Sequence, residues 1–137
     1  MSKTWFLVTL KGSEQDEHGK VSKVSKKYLL SETGYTEAET KVNELDDVQV
    51  KGFSIENIAP QKLSEVFEIE GKERCYKVKV TFDIESESGK IKKNHEYMLV
   101  DANSIVDACK EIDKQLETVL ITNRITECKE FELTDIL

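Results

Sequence analysis

Apolar and polar residues alternate in two stretches that lie far apart in the chain. In WFLVTL (residues 5–10) and CYKVKVTF (residues 75–82), every second residue is apolar, counted from Phe6 and from Tyr76. A period of two is typical of a strand with one buried face, because successive side chains point to opposite sides of a sheet. Each stretch therefore predicts a β-strand that packs one face against a core.

Each alternating stretch leads into a second strand. A polar loop reaches Gly19 or Gly89, and the following stretches GKVSKVSKKYLL (residues 19–30) and GKIKKNHEYMLV (residues 89–100) both end in apolar residues. Glycine accepts the positive φ angles that tight hairpin connections require. Both glycines are therefore predicted to hold a turn between two antiparallel strands.

A helix is predicted after each second strand. Ser104 and Asp107 resemble a capping box, in which a hydroxyl at the helix start and an acidic group three positions later satisfy backbone N–H groups. Thr36 and Glu39 offer a similar start for the earlier helix. Apolar residues then recur at helical spacing in both segments, which indicates one buried face on each helix.

Third strands and short tails complete the two halves. The strands are predicted over residues 48–58 and 119–128. The tails LSEVF (residues 63–67) and LTDIL (residues 133–137) follow them. Each tail is expected to close the half in which it stands, as a helical turn or a strand end.

A single offset aligns the two halves. Gly19 and Gly89 are 70 positions apart (89 − 19), and the same offset places residues 5–67 on residues 75–137 without a gap. Identities are sparse, but substitutions keep their character, as between LSEVF and LTDIL. One offset that serves hairpin, helix and tail indicates a tandem duplication.

The pattern predicts an α+β fold built by tandem duplication of a ββαβ unit. Residues 1–137 are expected to form a single compact domain of two repeats, 5–67 and 75–137, joined by the linker 68–74. Half of 137 residues is too few for a robust core of its own, so the repeats should pack together. The predicted arrangement is pseudo-twofold, with an antiparallel sheet covered by two helices. The pattern leaves open whether the repeats share one sheet or stack two.

Several of these features occur together in one known family. They are the aromatic-led first strand, the GK return strand that ends in YLL or YMLV, the EAE or DAC helix start, and the LSEVF-type tail. This combination resembles a family of small proteins of unknown function from Bacteroidota and their bacteriophages. The resemblance implies a phage or mobile-element accessory protein, and it carries over no catalytic residues. Cys75 stands where the first repeat has Trp5, which departs from the shared pattern.

Composition and charge narrow the possible classes. Hydrophobic residues make up 38% and charged residues 34% of the chain, as in globular proteins. No apolar run approaches the roughly 20 residues of a membrane span, and no secretion signal opens the sequence, so a cytoplasmic location in a bacterial cell is expected. A net charge of −7 argues against a general binder of polyanions. The three cysteines show no CxxC spacing and are expected to be reduced thiols, with a disulfide or metal role left open.

Lysines on the return strands are the first candidate binding residues. A solvated strand face that discourages edge-to-edge association is one interpretation. The other is a pair of basic patches that bind the phosphates of a nucleotide or nucleic acid, with lysines acting as point charges in the absence of a P-loop or GxGxxG motif. The candidates are Lys23, Lys27, Lys92 and Lys93.

Trp5 and Leu7 are candidates for an interaction surface. Their counterparts in the second repeat are Cys75 and Lys77, so one repeat presents apolar groups where the other does not. Packing against a terminus, contact with a partner, self-association into a homodimer and stacking on a ligand all remain open.

No catalytic or metal-ligating constellation stands out in the sequence. His18 and His95 have no second histidine at ligand spacing, and the acidic residues are spread over loops and helix faces. The expected function is therefore a non-catalytic binding protein without a cofactor, which engages a host protein or sequesters a small anionic ligand. The alternative is a nucleic-acid-binding accessory protein that uses the lysine-rich strands.

Overall fold

The structure, a computed structural model, describes residues 3–45 and 52–137. It is an α+β fold dominated by strands, as predicted. Along the chain the elements are β1 (Thr4–Gln15), β2 (Val21–Glu32), α1 (Tyr35–Asn43), β3 (Ser54–Gln61), β4 (Glu65–Phe67), β5 (Arg74–Glu85), β6 (Ile91–Ala102), α2 (Ile105–Gln115), β7 (Asn123–Glu130) and β8 (Asp135–Ile136).

The chain forms two compact units with one four-stranded sheet each. Unit 1 comprises Met1–Lys62 and Leu133–Leu137, and unit 2 comprises Leu63–Glu132. The strand order is β3-β1-β2-β8 in unit 1 and β4-β6-β5-β7 in unit 2. Antiparallel pairing dominates both sheets, as predicted. The described strands form two separate sheets, and one helix packs on each sheet.

The tails do not close the half in which they stand, so that prediction was wrong. β4 pairs in parallel with β6 of unit 2, and β8 pairs in parallel with β2 of unit 1. The reason is that the connection from β3 is too short to reach the open edge of its own sheet. A chain that leaves β3 is three strand spacings, about 14 Å, from the open edge of β2. Residues 62–64 span only about that distance when fully extended, which leaves no length for a turn.

The hairpin turns and the β-bulges recur at equivalent positions of the two repeats. Gly19 and Gly89 both adopt φ 82° in the turns β1–β2 and β5–β6, which confirms their predicted role. The pairing of the first strand with the third shifts register between Thr9 and Leu10 in unit 1 and between Lys79 and Val80 in unit 2. A bulge therefore interrupts both sheets at positions 70 residues apart.

Each core lies between the helix and one face of its sheet. In unit 2 the alternating residues of β5 pack with Ala108 and Ile112 of α2, and in unit 1 those of β1 pack with Ala38 and Val42 of α1. These side chains are almost fully buried. The face of each sheet that turns away from its helix is called the far face below.

The helix starts differ from each other. Ser104 caps α2, since its hydroxyl accepts a hydrogen bond from the Asp107 N–H at 3.1 Å, which confirms the predicted cap. The cap predicted at Thr36 is wrong, because α1 begins at Tyr35 behind Gly34, which makes no side-chain cap bond. Thr36 thus lies inside the first turn, where its carbonyl accepts a bond from the Thr40 hydroxyl.

The third strands begin later than predicted. β7 starts at Asn123 because the Val119 N–H still bonds the Leu116 carbonyl at 3.0 Å, which extends the helical turn past the end of α2. β3 starts at Ser54. Residues 48–51 of the corresponding prediction lie outside the described residues.

Candidate functional site

Within each unit, the two lysines that the sequence singled out are kept apart from each other. Lys23 and Lys27 both lie on the far face of unit 1, opposite Ser13 and Thr9 of β1. They are four strand positions apart, which is about 13 Å. In unit 2, Lys93 lies on the far face and Lys92 on the helix side, so these two neighbours do not converge. Their proposed anion binding remains a prediction.

Trp5 and Leu7 lie on the far face of unit 1 and are half-buried. Leu7 pairs with Leu29 of β2 and with Ala59 of β3 in the middle of the sheet. Trp5 pairs with Ser31 and with Gln61 of the same two strands. Their use as an interaction surface also remains a prediction.

The most exposed large apolar residue of the described chain, Leu120, stands elsewhere, in the connection from α2 to β7. Val119, Leu120 and Ile121, here called the apolar loop, are 37%, 99% and 48% exposed. The sequence pattern predicted a third strand over this run, and that prediction was wrong for residues 119–121. A signal was available, because the first repeat has Gln49, Val50 and Lys51 at these positions, and a buried strand would not be expected to tolerate that change.

One exposed residue of the sheet extends the apolar loop. The Asp83 N–H donates to the Thr122 carbonyl at 2.9 Å, so Ile84 and Ile121 stand on either side of this bond. Ile84 is 42% exposed. The loop conformation is held by Asn123, whose side-chain amide donates to the Ile121 carbonyl at 2.8 Å. Ile84 is thus an exposed apolar residue whose backbone lies next to the end of the apolar loop.

A second candidate is the cationic part of the unit 2 far face. Lys77 of β5 and Lys129 of β7 are directly opposite each other, and like charges at such positions repel. Partial burial, followed by the charge of Lys129, lowers the pKa of Lys77. The Lys77 ammonium lies 4.9 Å from the ring centre of Tyr97 and 5.9 Å from that of Phe131, which offsets part of the cost of its burial.

A hydrogen-bonded group lies farther along the same face. The Thr81 hydroxyl, only 1% exposed as a residue, is 2.9 Å from His95 Nδ1 and 2.9 Å from the Thr126 hydroxyl. Arg124 and Asp83 form an ion pair of 2.9 Å beside it. His95 thus satisfies a buried hydroxyl, and the position of Thr81 in the sheet interior leaves no open site for it to act as a nucleophile.

Two cysteines lie near each other in unit 2. Cys109 of α2 and Cys128 of β7 are both half-buried, and Cys109 is near enough to affect the pKa of Cys128. Burial, followed by the neighbouring Cys109, raises the pKa of Cys128 to about 11. Cys75 is separate, on the far face, where burial and the Asp101 carboxylate raise its pKa to about 12.

Two further observations concern possible metal-binding clusters and possible membrane-spanning helices. Within residues 3–45 and 52–137, histidine, cysteine and acidic side chains form no cluster of three that could ligate a metal ion. The helices of the described segments are too short and too polar to cross a bilayer.

Comparison with known proteins gives a family and no function. No curated protein and no solved structure matches the chain. Membership in a family of unknown function, expected from the sequence features, is confirmed. Residues 4–137 match the family described as Domain of unknown function (DUF4494), and the chain belongs to that family.

Proposed function

We propose that this protein is a non-catalytic binding protein that engages another protein through the apolar loop of unit 2. The observation that carries the proposal is the exposure of Leu120, which reaches 99% between two other exposed apolar residues. Transfer of a leucine side chain from water into an apolar contact stabilises a complex by about 1.5–3 kcal/mol. Exposed contiguous apolar surface is typical of interaction sites.

The surroundings of the apolar loop support the same function. Protein interfaces commonly combine an apolar centre with a polar rim. Here Glu117 precedes the loop and Asn123 and Arg124 follow it. The bond from the Asn123 amide to the Ile121 carbonyl orders the loop before any partner arrives, which reduces the entropy lost on binding.

The two halves support an origin by duplication. β1 and β5, and likewise β2 and β6, begin and end 70 positions apart, and the bulges follow the same offset. We infer a tandem duplication of a ββαβ unit with pseudo-twofold symmetry. One copy can then keep the shared architecture while the other acquires a surface of its own, as the apolar loop illustrates.

The proposed setting is a bacterial cytoplasm, in which the protein serves a phage or mobile element by engaging a host protein. The sequence resemblance to small proteins from Bacteroidota and their phages supports this setting. An accessory protein of this kind acts through binding, for which the exposed loop offers a surface.

The test compares tagged wild type with Leu120→Asp, and with Val21→Asp as the matched control. Val21 is also exposed, at 64%, but belongs to unit 1. Proteins cross-linked to the wild type in a Bacteroidota lysate are identified, produced and titrated by calorimetry. Leu120→Asp should weaken binding at least about tenfold, whereas Val21→Asp should bind as wild type does. Equal affinities of all three proteins would contradict the proposal.

Sequestration of a small anion is the second candidate function, and the Lys77–Lys129 pair favours it. An anion between the two ammonium groups would relieve their repulsion. Inorganic phosphate and a panel of nucleotides should then raise the Tm of the wild type but not of Lys129→Gln, with sodium chloride at equal ionic strength as the control. Binding of DNA or RNA that weakens steeply with salt would instead favour the nucleic-acid alternative.

A further inference from the structure

The two tails occupy equivalent places on the two sheets. In the tail LTDIL, β8 pairs Ile136 with Leu29 of β2, and in the tail LSEVF, β4 pairs Val66 with Leu99 of β6. Leu29 and Leu99 are 70 positions apart, and so are Val66 and Ile136, so the two parallel pairings have the same register. Each tail therefore binds the return strand of the other repeat in one common way.

A hydroxyl residue holds the start of each tail. The Thr134 N–H donates to the Lys27 carbonyl of β2 at 2.7 Å. At the equivalent position of unit 2, the Ser64 N–H donates to the Tyr97 carbonyl of β6 at 2.8 Å. The Thr134 hydroxyl also accepts a bond from the Lys27 N–H at 3.1 Å. Two segments of different sequence thus use the same backbone contact to join a strand edge, which is the way in which peptides extend a sheet.

A large apolar residue holds the end of each tail. Leu137 packs against the core of unit 1, and Phe67 packs against the core of unit 2. The Leu137 N–H also donates to the Leu29 carbonyl at 2.8 Å. The acidic residue of each tail, Asp135 or Glu65, is exposed. The two edges therefore accept a common pattern, here called the tail pattern: a serine or threonine, an acidic residue, an aliphatic residue and a large apolar residue.

The tail on unit 2 is held by more contacts than its own strand provides. β4 is three residues long, and the segment that follows it is bonded to unit 2 at three further points. These bonds join the Ile69 N–H to Asp101 at 3.0 Å, Lys72 to Asp107 at 2.9 Å and the Glu73 N–H to Asn103 at 3.0 Å. β8 is only two residues long. Short pairings at a sheet edge open at a lower free-energy cost than the core does, so the edge of β2 is the one that more easily releases its tail.

We propose that the edge of β2 in unit 1 is a docking site for an extended segment of a partner protein that carries the tail pattern and replaces β8. A released edge presents N–H and C=O groups that an added strand satisfies. The carbonyls of Lys27 and Leu29, which accept bonds from the tail, would accept them from the partner. The large apolar residue of the partner would take the place of Leu137 on the core. The site belongs to unit 1, so the proposal goes beyond binding through the apolar loop and does not depend on it.

The experiment weakens the resident tail in the full chain and supplies the tail pattern as a peptide. Leu137→Asp places a charge where the tail packs against the core. A fluorescein-labelled peptide of residues 129–137 is titrated into this variant and into the wild type, and binding is followed by fluorescence anisotropy. The peptide should bind the variant at least about tenfold more tightly, because the tail of the wild type competes for the same edge. Circular dichroism verifies the fold of the variant. If Leu137→Asp is unfolded, Leu137→Ala removes the same contact without adding a charge and is titrated in its place.

Two further peptides are the matched controls. The peptide of residues 129–137 with its final leucine replaced by aspartate should bind at least about tenfold more weakly, because it lacks the apolar contact. The peptide of residues 59–67, which carries LSEVF, should displace the labelled peptide, because it has the same pattern. Hydrogen exchange of the variant should slow at residues 27–29 when the peptide of residues 129–137 is added.

Absence of binding to the folded variant, equal affinities of the leucine and aspartate peptides, or failure of the peptide of residues 59–67 to compete would overturn the proposal. Binding without slower exchange in β2 would place the peptide elsewhere and would overturn it as well. A wild-type dimer in light scattering that the peptide of residues 129–137 dissociates would identify the tail of a second copy as the occupant, which would overturn the assignment to a separate partner.

Discussion

An aromatic ring fills the same position in the core of each unit. In unit 1 the ring comes from the residue just before β3, whereas in unit 2 it comes from β5. In unit 1, Lys11 pairs with Ser54, so Gly12 of β1 and Phe53, just before β3, are the next cross-strand pair. In unit 2 the corresponding pair is Phe82 of β5 with Asn123 of β7. Phe53 and Phe82 are 3% and 7% exposed.

The core therefore requires a volume at this position, and either of the two paired strands can supply it. A Cβ atom added to Gly12 would lie only 2.5 Å from the Phe53 ring, so the ring lies directly over the glycine. In unit 2 the ring stands on the strand where unit 1 has glycine. Cores generally tolerate such exchanges when total volume is kept.

The largest predicted effect comes from removing the ring of unit 1. Phe53→Asn should lower the free energy of unfolding by about 3–5 kcal/mol, as large-to-small core changes do. Adding Gly12→Phe reproduces the arrangement of unit 2 and should recover more than half of that loss. Urea unfolding of the two single variants and the double variant measures the coupling. Losses that simply add would show that the two cores are not equivalent at this position.

A second comparison concerns the helix starts. Ser104 caps α2, whereas Gly34 precedes α1 without a side-chain cap. Ser104→Ala should therefore cost about 1 kcal/mol of stability, and Gly34→Ser should add a few tenths. Both changes are read from denaturant midpoints. A loss of stability in Gly34→Ser would indicate that the new Cβ cannot displace the Glu37 carboxylate, which would lie 2.9 Å away.

The smallest predicted effect is a pH dependence of stability that arises from Asp107 of unit 2. Asp107 accepts hydrogen bonds from the Asn103 N–H and from Lys72, and these lower its pKa. A lowered pKa in the folded state contributes stability above the ordinary range of aspartate, near pH 4, and this stability is lost as the pH falls through the lowered value. Asp107→Asn should therefore flatten the acid limb of stability against pH. Glu37→Gln, at the equivalent position of α1, is the matched control.

Local features were predictable because they depend on neighbours in the chain. The alternation from Phe6 and from Tyr76 predicted β1 and β5, and the turn glycines were recognised from their setting. The cap at Ser104 followed from a spacing of three residues. The apolar loop was missed because a short apolar run is also typical of a buried strand, and the helical turn that persists to Val119 excludes such a strand here.

The order of strands and helices, the hairpin turns and the buried face of each strand follow from the sequence alone, because hydrophobic period and turn chemistry act over a few residues. The sheet that receives each tail and the exposure of Leu120 beyond the end of α2 emerge only in the folded chain. These outcomes depend on strand pairing between residues far apart in the chain. Local patterns do not specify such pairing, because any open strand edge of suitable direction can accept a short apolar tail.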